Sequence, residues 1–168
     1  MENQNRKLPR LKNYNYSESG TYFVTICIKD MRCVLSEIVG SGDLDAPKIL
    51  LCPFGKIVED NIIKMNGIYD NINADKYVIM PNHIHILVSI INDNPNGASR
   101  SPLPTNSTLS RYVGTLKKFS NKQIGSSIWQ SGFYDHIIRD EEDYVTHIQY
   151  IDENPQKWLL GKDEYYSS

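Results

Sequence analysis

At 168 residues, 40% hydrophobic and 23% charged, the chain has the size and balance of one ordinary globular domain that buries a core without staples. Its formal net charge of -2 argues against a nonspecific polyanion binder, whose affinity rests on surplus Lys and Arg. Cys27, Cys33 and Cys52 show no Cys-x-x-Cys spacing, which disfavours a zinc ribbon or a secreted disulfide scaffold and suits reduced core thiols in a cytoplasmic protein.

Residues 1–15 form a basic arm carrying Arg6, Lys7, Arg10 and Lys12 against Glu2. Thr21 to Ile28 is rich in β-branched and aromatic residues and reads as a strand, with Lys29 to Arg32 turning into a short run, Cys33 to Leu35, to make an opening hairpin. Gly40 to Asp43 is a loop and Lys48 to Leu51 another short strand. Pro53 suits the first turn of a helix reaching about Met65, with Phe54, Ile57, Val58, Ile62 and Met65 as its apolar stripe and Gly67 as its stop. Two strands follow, about Ile72 to Met80 and His83 to Ile91, parted by Pro81-Asn82.

Residues 92–107 are too polar and too broken by Pro and Gly to pack, and read as an internal mobile loop. A helix capped by Ser107 or Thr108 and stopped by Gly125 places Leu109, Val113, Leu116, Phe119 and Ile124 on one side, with Arg111, Lys118 and Lys122 off that stripe. No apolar stretch approaches the roughly 20 residues of a bilayer span, and the N-terminus lacks a signal-peptide core. The order of elements, without regular βαβ alternation, predicts one α+β domain over residues 1–168. A mainly antiparallel, ferredoxin-like sheet with helices packed on it is the expected version.

Two places carry chemistry. In a strand, residues i and i+2 share a face, so His83 and His85 project side by side while Ile84, Ile86 and Val88 serve the core. Two such imidazoles make half a metal site, or equally two hydrogen-bonded polar residues on a half-exposed strand. The last helix, with Asp140 as its N-cap, puts Asp143, His147, Tyr150 and Asn154 in one narrow arc beside an apolar arc of Tyr144, Ile148 and Ile151. That polar arc is either an ordinary solvated side or a phenol with an amide one turn later. Tyr134 and Tyr144 read as packing residues, and Trp129 and Phe133 as core anchors rather than base-stacking platforms.

Val78-Ile79-Met80-Pro81-Asn82-His83-Ile84-His85, then Ile128-Trp129-Gln130-Ser131-Gly132-Phe133-Tyr134-Asp135-His136-Ile137-Ile138-Arg139, then Tyr150-Ile151-Asp152-Glu153-Asn154-Pro155, together resemble the REP-associated tyrosine transposases. These are single-tyrosine members of the HUH (His-hydrophobe-His) endonucleases, and the resemblance runs from about Tyr16 to Trp158. It implies a metal-dependent endonuclease and strand transferase acting on single-stranded or hairpin DNA. By that resemblance His83, His85 and Asn154 would hold Mg²⁺ or Mn²⁺, and Tyr150 would be the nucleophile that forms a 5′-phosphotyrosine. His147, one turn earlier, is a candidate helper, and His136 lies in a shared motif. Arg10, Lys12, Arg111, Lys117, Lys118 and Lys122 are the candidate phosphate contacts. The resemblance allows a monomer or a homodimer. Two other readings stay open: an inactive or domesticated relative that binds DNA hairpins without cutting, and a metal hydrolase in which water attacks and Tyr150 is dispensable.

Overall fold

The computed structural model describes residues 19–40, 46–91 and 107–161. The basic arm with Arg10 and Lys12, and residues 92–106 of the expected loop, lie outside the described residues. A four-stranded antiparallel sheet runs in the order β4-β5-β1-β6, from strands Ile72–Ile79, His83–Ile90, Gly20–Cys27 and Tyr134–Ile137. Helix α1 (Pro53–Ile68) joins β1 to β4, and α2 (Thr108–Ile124) joins β5 to β6. This is the ferredoxin-like order. To it are added a two-stranded antiparallel ribbon, β2 (Ser36–Val39) with β3 (Lys48–Leu51), and a last helix, α3 (Glu141–Leu159). Among the described residues no helix is long and apolar enough to cross a membrane.

Strand alternation sorts the sheet into two faces. Tyr22, Val24 and Ile26 of β1 and Ile84, Ile86 and Val88 of β5 pack with Val58, Ile62 and Met65 of α1 and Leu109, Val113 and Leu116 of α2 in the larger core. On the other face Phe23, Val78 and Leu87 meet Ile151, Tyr144 and Ile148 of α3 and Ile38 and Ile49 of the ribbon. With both faces covered, β5 is buried nearly throughout, which explains its long apolar run. His83 and His85 sit on the α3 face of that interior strand.

Several expected elements differ. Cys33 to Leu35 is not a strand, and β1 opens no hairpin, because both of its edges are already taken by β5 and β6. The chain leaves β1 through a short 3₁₀ turn in which Asp30 and Met31 adopt positive φ, and β2 then pairs with β3 instead. Gly67 does not stop α1, which runs on to Ile68 and ends where Tyr69 turns extended. On α2 the buried phase is Leu109, Tyr112, Val113, Leu116 and Ser120, leaving Phe119 39% exposed. Of the thiols only Cys27 is buried, with Cys33 exposed and Cys52 half-buried. The caps fall where the residue types put them: Ser107 accepts from Ser110 N–H, Gly125 takes φ 81°, and Asp140 accepts from Asp143 N–H.

Candidate active site

The start of β5 is tied down before the histidines begin. Met80, Pro81 and Asn82 link β4 to β5, Met80 N–H donates to the His83 carbonyl (2.9 Å), and the Pro81 carbonyl accepts from both Val34 and Leu35 N–H (3.0 Å each). Ile28 N–H holds the Asn82 carbonyl at 2.8 Å. On this fixed turn the two imidazoles, both fully buried, face one another with 3.1 Å between their Nε2 atoms.

Each ring has an outer partner on Nδ1. The Asn82 side-chain oxygen lies 2.7 Å from His83 Nδ1, and because that oxygen only accepts, His83 carries its proton on Nδ1 and leaves a lone pair on Nε2. Thr25 Oγ1 lies 2.7 Å from His85 Nδ1. A hydroxyl can donate or accept, so His85 can present either Nε2–H to His83 or a second lone pair. Burial pushes the His83 pKa down to about 4, partly countered by Asn154. Burial, and then the His83 and His147 charges, put His85 well below the usual value. Both rings are therefore neutral near pH 7, the form in which imidazole binds a metal.

Helix α3 lies across this face. The Tyr150 ring stands 5.3 Å from the His85 ring, centroid to centroid, and 5.8 Å edge-on from Phe23. Asn154 stays within the helix although Pro155 follows it, and it is buried. Its amide nitrogen reaches the Tyr150 carbonyl at 3.5 Å, while its side-chain oxygen is buried without a hydrogen-bond donor. Two facing imidazole nitrogens and an orphaned amide oxygen form a donor set that fits a divalent cation, with no carboxylate to saturate it.

His147 stands a turn before Tyr150. Its Nδ1 donates to the Asp143 carbonyl (2.8 Å) and lies 3.1 Å from the Asp143 carboxylate, which fixes the proton there and leaves Nε2 as an acceptor. The Phe23 ring separates His147 (4.7 Å) from His85 (5.0 Å). His136 does not reach the His83–His85 pair: it bonds both Asp143 oxygens (2.9 and 3.0 Å) and stacks on His147 at 4.6 Å.

The basic residues divide. Arg111, Lys118 and Lys122 project from α2, on the sheet face away from the histidines. Lys117 is spent on the chain itself, donating to the carbonyls of Gln130, Ser131 and Gly132 at 2.8, 3.4 and 2.7 Å. Burial lowers its pKa to about 8. Four residues near the site were not singled out from sequence. Thr25 and Asn82 hold the histidine rings, Lys157 places Nζ 4.7 Å over the Tyr150 ring, and Trp158 lies 6.4 Å from His83. Only Asn82, adjacent to the pair, had a signal in the local sequence. Tyr134 is half exposed rather than packed, and it shares the His85 row of the sheet, since both pair with Thr25. Trp129 is a core anchor as expected, donating Nε1–H to Ser120 at 2.8 Å.

An antiparallel ferredoxin-like sheet bearing a buried histidine pair beneath a tyrosine-bearing helix defines the class of this protein. No family model matches the chain. An uncharacterized protein of Haemophilus influenzae is 30% identical over 176 residues, covering 96% of this chain and 93% of that protein. A second Haemophilus influenzae protein, provisionally named a REP-associated tyrosine transposase, is 38% identical over 96 residues, about half (54%) of each chain. The REP-associated tyrosine transposase of Escherichia coli K12 is 25% identical over 142 residues, 84% of this chain and 70% of that one. A solved REP-associated tyrosine transposase bound to a REP hairpin shares the fold, with a TM-score of 0.61 at 23% identity over 89% of this chain and 73% of the other. The chain is thus related to proteins named REP-associated tyrosine transposases.

Proposed function

We propose that this protein is a metal-dependent enzyme that nicks single-stranded or hairpin DNA and transfers the strand through a 5′-phosphotyrosine on Tyr150. The observation that carries the reading is the meeting, within one chain, of the Tyr150 ring, the facing Nε2 atoms of His83 and His85, and the orphaned Asn154 oxygen. His83, His85 and Asn154 would hold Mg²⁺ or Mn²⁺, which when bound polarises a phosphoryl oxygen and orients the scissile phosphate. These three residues would leave room on the ion for water and a phosphate oxygen.

Tyr150 Oη attacks phosphorus in line, forming the tyrosyl O–P bond as the bond from phosphorus to the 3′-oxygen breaks. The departing 3′-oxygen takes up a proton and leaves as a free hydroxyl. The phenolic proton passes to water as the tyrosyl O–P bond forms. Reversal by another 3′-hydroxyl rejoins DNA and frees the phenol, with the bond energy conserved in the covalent link. The hairpin-bound relative supports hairpin DNA as substrate.

Incubation with labelled single-stranded hairpin DNA and Mn²⁺, resolved on a denaturing gel, tests this. A covalent adduct that disappears in Tyr150→Phe and in His83→Gln supports the reading. Free cleaved product that survives Tyr150→Phe points to a hydrolase, and a metal-independent mobility shift without cleavage points to a hairpin binder; either contradicts it.

A further inference from the structure

A second constellation of ligating groups lies outside the Tyr150 site. His136 from edge strand β6 and Asp143 and His147 from the first two turns of α3 each bring a ligand atom within 4.8 Å of the other two. The Asp143 carboxylate stands 2.9 Å from His136 Nε2 and 3.1 Å from His147 Nδ1. Ligands of a four-coordinate ion at about 2.1 Å are separated by about 3.4 Å, so a modest spreading of these two contacts makes room for one. The side chains are 44%, 20% and 19% exposed for His136, Asp143 and His147, which leaves the cluster open to an ion while shielding two of its three members.

The cluster is held in place. Asp143 accepts from Arg139 N–H (3.0 Å), and the two imidazoles are stacked with an interplanar angle of 18°. A cation at a helix N-terminus works against the macrodipole, but Asp140, Glu141, Glu142 and Asp143 supply four carboxylates there against Arg139. The donor set also differs in kind from the His83–His85–Asn154 set. Two imidazoles and a carboxylate with open positions suit Zn²⁺, Co²⁺ or Ni²⁺ over Mg²⁺, which prefers oxygen.

We infer that His136, Asp143 and His147 form a second divalent-cation site, for a borderline transition metal of the Zn²⁺ class, that pins the edge strand β6 to the helix carrying Tyr150. Binding would replace the N–H contacts to Asp143 with metal–nitrogen bonds, each neutral ring then carrying its one proton on the other nitrogen. The site does not depend on DNA cleavage by Tyr150.

Titration of the full chain with Co²⁺ in excess Mg²⁺, followed by visible absorption and by the thermal midpoint, tests it without DNA. The expected result is one saturating equivalent with a d–d band and a raised midpoint in the His83→Gln/His85→Gln double variant. His136→Gln, at an exposed position, should weaken that binding at least about tenfold, the loss that removal of even an outer partner brings. An equivalent lost on His83→Gln/His85→Gln and kept in His136→Gln overturns the proposal, as does a Co²⁺ titration that shows neither band nor stabilisation. Failure of DNA cleavage with this titration intact would overturn only the proposed function.

Discussion

Burial sets the chemistry of the two facing imidazoles and also exposes the fold to acid. The unfolded chain protonates these histidines near the ordinary 6.5, whereas the folded chain holds His83 neutral to about 4 and keeps His85 well below its usual value. Between those limits the unfolded state binds more protons, so stability falls as pH drops below 6.5 and is indifferent to these groups above it. Each ring contributes up to about 1.4 kcal/mol per pH unit within its window. Urea unfolding at about pH 7 and about pH 5 should show a clear loss of midpoint, smaller in His83→Gln. A midpoint unchanged by pH would contradict the burial argument. The Thr25 hydroxyl gives a second test, because valine keeps its shape and removes only the 2.7 Å contact to His85. Mn²⁺ affinity of Thr25→Val, measured by calorimetry, should fall by about 10- to 100-fold; unaltered affinity would show that Thr25 does not orient a ligand.

Among the elements, α1 makes the closest approach. A methyl group at Gly55 would stand 2.0 Å from the Leu35 carbonyl oxygen, the same oxygen that accepts from Cys52 N–H. Because the obstruction is backbone, it cannot rotate away, and Gly55→Ala should destabilise by about 1–3 kcal/mol despite alanine's better helix propensity. A thermal midpoint equal to that of the parent would show that the ribbon connection yields easily. Local pattern made much of this architecture legible: the period-2 runs of β1 and β5, the caps Ser107, Gly125 and Asp140, and the arc shared by Asp143, His147, Tyr150 and Asn154. What depended on distant pairing was not legible. Nothing between Thr21 and Leu35 tells that β6 will occupy the second edge of β1, so an opening hairpin was a reasonable reading. The same ignorance of strand order hid Thr25 as the neighbour of His85 and led to Tyr134 being read as a packing residue.

Across the whole molecule, the sheet separates two surfaces. The histidine pair and α3 share one, and the exposed cations of α2 lie on the other, so the basic helix singled out from sequence does not line the proposed site. Tyr150 and the imidazoles come from a single chain, and no partner subunit is needed to bring them together. Mixing Tyr150→Phe with His83→Gln/His85→Gln should therefore restore no adduct. Recovered activity in the mixture would mean that helices are exchanged between subunits.

Attack on DNA falls to one oxygen atom, Tyr150 Oη. Tyr134, half exposed in the same row of the sheet as His85, is the structural rival to Tyr150 for attack on DNA. Proteolysis of the covalent complex followed by mass spectrometry of the nucleotide-bearing peptide decides between them. The added nucleotide mass is expected on Tyr150, within the α3 peptide; the same mass on Tyr134, or on any other residue, would contradict attack by Tyr150.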